Sequence, residues 1–298
     1  MRLIFIIVFA ISALFAKSNI DVNSSIKAIY WEVTKDNKRF FLFGTMHIRD
    51  KRVELLMSPI KSLINRVDGV YTEIKINPIT KYLVFQKSLR DDKKSLKEIL
   101  PKDIYDSLDS YLKSIHPLYS AKMFDRFKIW VIALSLELLK EDLKNKGLKS
   151  VDEQIYNLAL FAKKEVNGIE SIDEQVSLFD DKPISWQIDL LRESLNQVKK
   201  YPNMTYKLKE LYFRGDTQQV LKLFKKLEKE SKLKDLTEKI LYNRNSKMAK
   251  RVIKIVNKNP NKSYLFAFGL MHFLGEGSII ELLKKDGFSV KQKEVLIK

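Results

Sequence analysis

The 298-residue chain contains no cysteine and only three histidines. Without cysteine there can be no disulfides, Cys-ligated zinc, iron–sulfur clusters, thiol nucleophiles or lipid-modified N-terminal Cys. Histidine chemistry must draw on His47, His116 or His272. Glycine and proline are also scarce, at 9 and 7 residues, and no Pro/Gly/Ser linker or repeat of fixed period interrupts the chain. Beyond the N-terminus, the nearest thing to a long apolar run is Ile129 to Leu139, which includes Glu137. It falls well short of the roughly 20 residues that a membrane span needs. A Gly-x-Ser-x-Gly elbow, a Walker loop, a Rossmann glycine fingerprint and a His-Glu-x-x-His helix are all missing.

The composition is that of a globular protein, 45% hydrophobic and 31% charged, so wholesale disorder is excluded. Lys and Arg outnumber Asp and Glu by 55 to 37, a formal net charge of +18. Most of the excess is Lys, scattered through amphipathic stretches such as Lys222 to Lys234, where Glu228 and Glu230 interrupt it. Such a pattern describes a solvated surface. It supports weak attraction to anionic membrane surfaces or nucleic acids; with no Arg-rich block, zinc finger or RNP pattern, no specific nucleic-acid binding is expected.

Met1-Arg2 followed by Leu3 to Phe15, broken only by Ser12, and then Ala16 before Lys17-Ser18 has the layout of a secretory signal. Residues 1–16 are therefore expected to be a signal peptide. Residues 17–298 are the expected mature chain, exported to a periplasm and without a transmembrane helix.

Ala28 to Thr34 and Arg39 to Phe43 flank the turn residues Asp36-Asn37 and predict a hairpin leading into Gly44. Val53 to Val67 has helical spacing, with Pro59 as a kink or a late start. Short apolar strands are expected at Gly69 to Ile74, Glu165 to Glu170 and Tyr264 to Phe268. Gly277 to Lys285 reads as a helix and Phe288 to Leu296 as an edge strand. Strands separated by helices predict an α/β fold: a central mixed, partly parallel sheet. Long helical insertions are expected at about 78–163 and 172–258, within a single domain.

One signature occurs twice. Phe40 to Phe43 runs into Gly44-Thr45-Met46-His47, and Tyr264 to Phe268 runs into Gly269-Leu270-Met271-His272. Ligands in open α/β sheets collect beyond the carboxyl ends of the strands, where Gly44 and Gly269 let the backbone turn and approach closely. If the two strands are parallel neighbours, both imidazoles reach one rim. Glu73 and Glu170 end strands of the same kind. Two His with one or two carboxylates would form a divalent-metal site of mixed nitrogen and oxygen donors; a remaining carboxylate could serve as general base. The structural alternatives are hydrogen-bonded core histidines and salt-bridged strand-end glutamates. A glycosidase carboxylate pair, Glu73 with Glu170, leaves the paired histidines unexplained. His116, before Pro117, reads as a surface residue.

These motifs resemble the TraB/GumN family, whose relatives include the TIKI-type metalloproteases. Further elements follow in family order: Gly168-Ile169-Glu170-Ser171 with Gln175 and Phe179-Asp180, Tyr212-Phe213-Arg214-Gly215-Asp216, Arg244-Asn245 with Met248, and Leu274-Gly275-Glu276-Gly277. After His272 the chain reads Phe273-Leu274-Gly275, without the family's usual proline. The resemblance implies an α/β fold with helical insertions and a metal-dependent peptidase, with His47, His272 and Glu73 as ligands and Mn²⁺ or Co²⁺ as the metal. The residue types alone also allow Zn²⁺. Arg244 is a candidate for holding a substrate carboxylate or stabilising developing negative charge, with an ion pair as the alternative. The expected function is an exported metal-dependent hydrolase of peptide or protein substrates, with Glu73, Glu170 and Arg244 as catalytic candidates. The competing expectation is a binding protein that sequesters a peptide signal or metal-containing ligand in the same cleft.

Overall fold

The computed structural model describes residues 26–297, so the expected signal peptide lies outside the described residues. Its six strands are β1 (Ile26–Lys35), β2 (Lys38–Thr45), β3 (Gly69–Thr72), β4 (Glu165–Gly168), β5 (Tyr264–Gly269) and β6 (Ser289–Ile297). Between β2 and β4 lie α1 (Met57–Asn65), α2 (Pro78–Ser88), α3 (Leu96–Ile99), α4 (Lys102–Ile115), α5 (Ile129–Lys144) and α6 (Val151–Phe161). After β4 come α7 (Ile172–Asp180), α8 (Ile184–Lys200), α9 (Met204–Phe213), α10 (Thr217–Glu230), α11 (Lys234–Thr237) and α12 (Asn243–Lys258). The last helix, α13 (Ile279–Lys285), joins β5 to β6.

The strands form one sheet in the order β4-β3-β5-β2-β1-β6. β4, β3, β5 and β2 are parallel to one another, whereas β1 is antiparallel to both β2 and β6. This is the α/β architecture with a mixed, partly parallel sheet and helical insertions that the sequence predicts. The hairpin turns at Asp36, whose φ of 53° is one that Asp tolerates better than most residues. β6 is an edge strand, as the sequence predicts, and β4 is the other. The stretch after Val53 divides into a 3₁₀ segment, Lys51–Leu56, and α1. Pro59 sits in the first turn of α1, where its missing N–H costs nothing.

Two compact units make up the chain. One, Asn77–Lys144 with Ile172–Thr205, is wholly helical. Within it α5 packs along α8, and Trp130 is fully buried, stacked on Phe179 with ring centroids 5.5 Å apart. Trp130 Nε1 donates to Asp180 Oδ1 at 3.1 Å. The apolar run from Ile129 is thus the buried spine of this unit. No helix among the described residues is long and apolar enough to cross a membrane.

The other unit holds the sheet, with residues 26–76, Asn145–Ser171 and 206–297. Phe40, Leu42, Tyr264, Phe266 and Phe268 point to one face and pack with Met248, Val252 and Val256 of α12 and Ile279 and Leu283 of α13. Phe41, Phe43, Leu265 and Ala267, on the opposite face by alternation, are buried as well. Central strands covered on both sides read as continuous apolar runs, which is why the two most legible strands are β2 and β5.

Gly168 ends β4 where the chain from β3 passes closest. A Cβ there would lie 2.7 Å from the backbone N of Lys75, an atom that can move only with the strand end. Gly168→Ala is expected to cost about 1–3 kcal/mol by overpacking, read as a lower midpoint in urea denaturation.

Candidate functional site

The parallel order β4-β3-β5-β2 brings four strand ends to one rim. Glu73 follows Thr72 directly, Glu170 and His47 lie two residues beyond Gly168 and Thr45, and His272 lies three beyond Gly269. β2 and β5 are neighbours in register Thr45↔Gly269, so both Gly-x-Met-His loops leave the same edge of the sheet. The main chain extends the β3–β4 pairing into the site, where Ile169 N donates to Thr72 O at 2.9 Å and Glu170 N to Glu73 O at 2.8 Å. The two glycines make room. A Cβ on Gly44 would fall 2.5 Å from Leu270 Cδ1 of the other loop, and one on Gly269 would fall 3.1 Å from Glu73 Oε1.

Each imidazole has a side-chain oxygen beside its Nδ1. His47 Nδ1 lies 2.9 Å from Asp152 Oδ2, and Thr45 Oγ1 donates to Asp152 Oδ1 at 2.6 Å. His272 Nδ1 lies 2.5 Å from Asn245 Oδ1. Asn245 Nδ2 donates to Gly277 O at 2.9 Å, which places the amide oxygen on the His272 side. His272 therefore carries its proton on Nδ1 and a lone pair on Nε2. That Nε2 lies 3.7 Å from Glu73 Oε1 and 3.3 Å from Arg244 Nη1.

Arg244 binds both glutamates. Its Nε donates to Glu170 Oε1 at 3.0 Å, its Nη2 to Glu73 Oε2 at 2.8 Å and to Glu170 Oε2, and its Nη1 to Ile240 O at 3.1 Å. With His272 Nε2 as the last partner, all five N–H groups of the guanidinium are committed. In this structure Arg244 is thus engaged wholly with groups of the chain itself. Its side chain is only 4% exposed. The turn before it is a π-helix, Glu238–Tyr242, where Asn243 N bonds Glu238 O. Such one-turn insertions recur at functional sites; from this one, adjacent residues Arg244 and Asn245 reach opposite nitrogens of one imidazole.

Burial alone would raise the Glu73 carboxyl. The charges of Arg244, His272 and His47 and the Gly269 N–H, which donates to Oε1 at 2.8 Å, instead hold it at about 2. The histidines diverge. Burial pushes His272 down to about 3, with Glu73 opposing and Arg244 reinforcing. Burial would lower His47 too, but Asp152, with Glu73 and Glu153 further away, raises it to about 9. His272 is buried, whereas 15% of the His47 side chain is exposed.

Asp152 was not legible as a site residue. It falls in Ser150-Val151-Asp152-Glu153, where Ser150 and Glu153 form the capping box of α6, and an acid in a first helical turn needs no other reason. Asn245 was visible only as a neighbour of Arg244. His116 caps the C-terminus of α4, exposed, in the helical unit.

The type of these donors suits a divalent ion, because each imidazole is oriented through Nδ1 by an oxygen, as metal-ligating histidines are. Two atoms bound to one such ion sit roughly 3–3.5 Å apart given bonds of about 2.1 Å, close to the 3.7 Å between Glu73 Oε1 and His272 Nε2. Among the described residues, however, no group of three or more His, Asp or Glu side chains is gathered tightly enough to hold one.

The class this fold and site define is an α/β protein with two Gly-x-x-His loops and buried glutamates on the rim of a parallel sheet. The chain belongs to the TraB/PrgY/gumN family, whose model matches residues 29–292. It is similar to Metalloprotease TIKI1 of Xenopus tropicalis, 25% identical over 314 residues, covering 90% of this chain and 62% of that protein. Metalloprotease TIKI1 of Homo sapiens is 23% identical, covering 90% and 62%. A Metalloprotease TIKI homolog of Nematostella vectensis is 24% identical, covering 90% and 67%. The chain thus spans about 62% of the length of these TIKI1 relatives. No solved structure matches it.

The His47–Asp152 pair sets a pH dependence. A histidine raised from 6.5 to about 9 on folding adds stability that is complete below about pH 6.5 and lost as pH rises through about 9. The melting temperature of the metal-free protein is expected to fall across that alkaline window, and Asp152→Asn to flatten the fall. An equal slope in both proteins would contradict the pairing.

Proposed function

We propose that this protein is a metal-dependent hydrolase of peptide or protein substrates, with His47, His272 and Glu73 as the ligands. The observation that carries this is the pair of imidazoles on one rim, each with Nδ1 beside a side-chain oxygen, Asp152 Oδ2 at 2.9 Å and Asn245 Oδ1 at 2.5 Å. Its similarity to the TIKI metalloproteases supports the reaction class and a metal ion. The resemblance favours Mn²⁺ or Co²⁺; the donor types equally suit Zn²⁺.

When bound, such an ion lowers the pKa of a water and polarises a carbonyl. The chain's own residues prepare for it. Asp152 and Asn245 fix which nitrogen of each imidazole faces outward. Glu73, held at about 2, is a good anionic donor and a weak base, so of its two candidate roles we assign it that of ligand. Glu170 grips Arg244 with both oxygens and acts through it as a positioning residue. His47 must shed a proton to become a ligand, so cation uptake is coupled to proton release. The layout of residues 1–16 supports export to a periplasm.

The test is metal titration calorimetry followed by peptide-mixture digestion, with new termini read by mass spectrometry. His47→Ala and His272→Ala are each expected to abolish cleavage. Asn245→Ala, which leaves the ligands in place, is expected to weaken metal binding about 10–100-fold. Tight peptide retention without new termini would favour the binding-protein alternative and defeat the hydrolase.

A further inference from the structure

Resting on the metal reading above, we infer that Arg244 is an internal competitor for the cation. Its guanidinium occupies donor atoms of Glu73 and His272 that a divalent ion would use, so ion binding proceeds by displacing Arg244, and that exchange sets the affinity.

Three observations lead there. First, Arg244 is fully committed inside the protein. Its donors go to Glu170, Glu73, Ile240 O and His272 Nε2. Second, the contacts fall on the ligand atoms themselves. With Asn245 holding Nδ1, the His272 lone pair is on Nε2, and one lone pair serves either an N–H or a metal ion. Glu73 likewise has Oε1 on the Gly269 N–H and Oε2 on Arg244 Nη2. Third, the competition cannot be relieved by titration, because a guanidinium stays protonated. A divalent ion brought to these atoms would face a like charge a few ångströms away in a poorly screened interior.

The arrangement also provides a way out. Glu170 holds Arg244 through both carboxylate oxygens and through two different nitrogens, Nε and Nη2. The guanidinium can release His272 Nε2 and Glu73 Oε2 while keeping that bidentate partner. The outgoing Arg244 then remains neutralised, and Glu73 and His272 pass to the ion. On this account Glu170 is what makes the exchange feasible.

The test measures affinity rather than activity: calorimetric titration of the purified protein with Mn²⁺ and with Zn²⁺. Arg244→Met removes the competitor with little change of volume. It is expected to bind at least tenfold tighter than wild type, and its melting temperature to rise more on metal addition. Because Arg244→Met leaves two buried carboxylates without their counter-ion, Arg244→Lys serves as the second variant. It keeps the charge with a single ammonium in place of the fork and is expected to bind more tightly than wild type by a smaller factor. Wild-type binding with equal or weaker affinity in whichever variants fold overturns the inference and leaves the metal reading standing. No metal binding by wild type or variant overturns both.

Discussion

One guanidinium between two carboxylates, almost sealed from water, is the interaction on which the rest of this site depends. Removing such charges from solvent costs several kcal/mol per ion, and deleting one partner of a buried pair costs about 3–5 kcal/mol. The protein offsets that cost with geometry: Arg244 spends every N–H on an acceptor. Two carboxylates against one guanidinium leave a negative excess.

The two Gly-x-Met-His motifs are alike as strings and unlike as places. Thr45 of the first motif holds the carboxylate that charges His47. The matching position in the second motif, Leu270, fills the space Gly44 leaves. His47 meets an acid and is pushed towards the cation; His272 meets an amide and a guanidinium and is kept neutral. Duplication put both imidazoles on one rim, and their neighbours made them different.

The first motif is also anchored from outside the sheet. Tyr212 is buried and donates to Gly44 O at 2.9 Å. Asp50, three residues past His47, receives Arg52 and Lys209, each at 3.0 Å, and Arg52 in turn reaches Glu210 at 2.7 Å. These contacts lower the Asp50 carboxyl to about 2 against its burial. α9 therefore fastens the segment on either side of His47. A reading confined to the strand-end motifs has no access to this anchor, since residues 209–212 are more than 150 positions away.

The sequence by itself determined the sheet class, the hairpin, the edge strand and the four rim residues His47, Glu73, Glu170 and His272. Strand burial and strand-end glycines leave a local mark: a continuous apolar run that stops at Gly is legible wherever it occurs. Tertiary structure alone decided what those residues face. Asp152 lies in the first turn of α6 beside its capping box, where the sequence marks nothing about His47, and Asn245 stands out only by following Arg244. Their roles and that of Arg244 come from pairings across 27 to 171 residues of chain, set by the order in which parallel strands pack. Side-chain type reports which bonds a residue can make; only the fold brings the partner within reach.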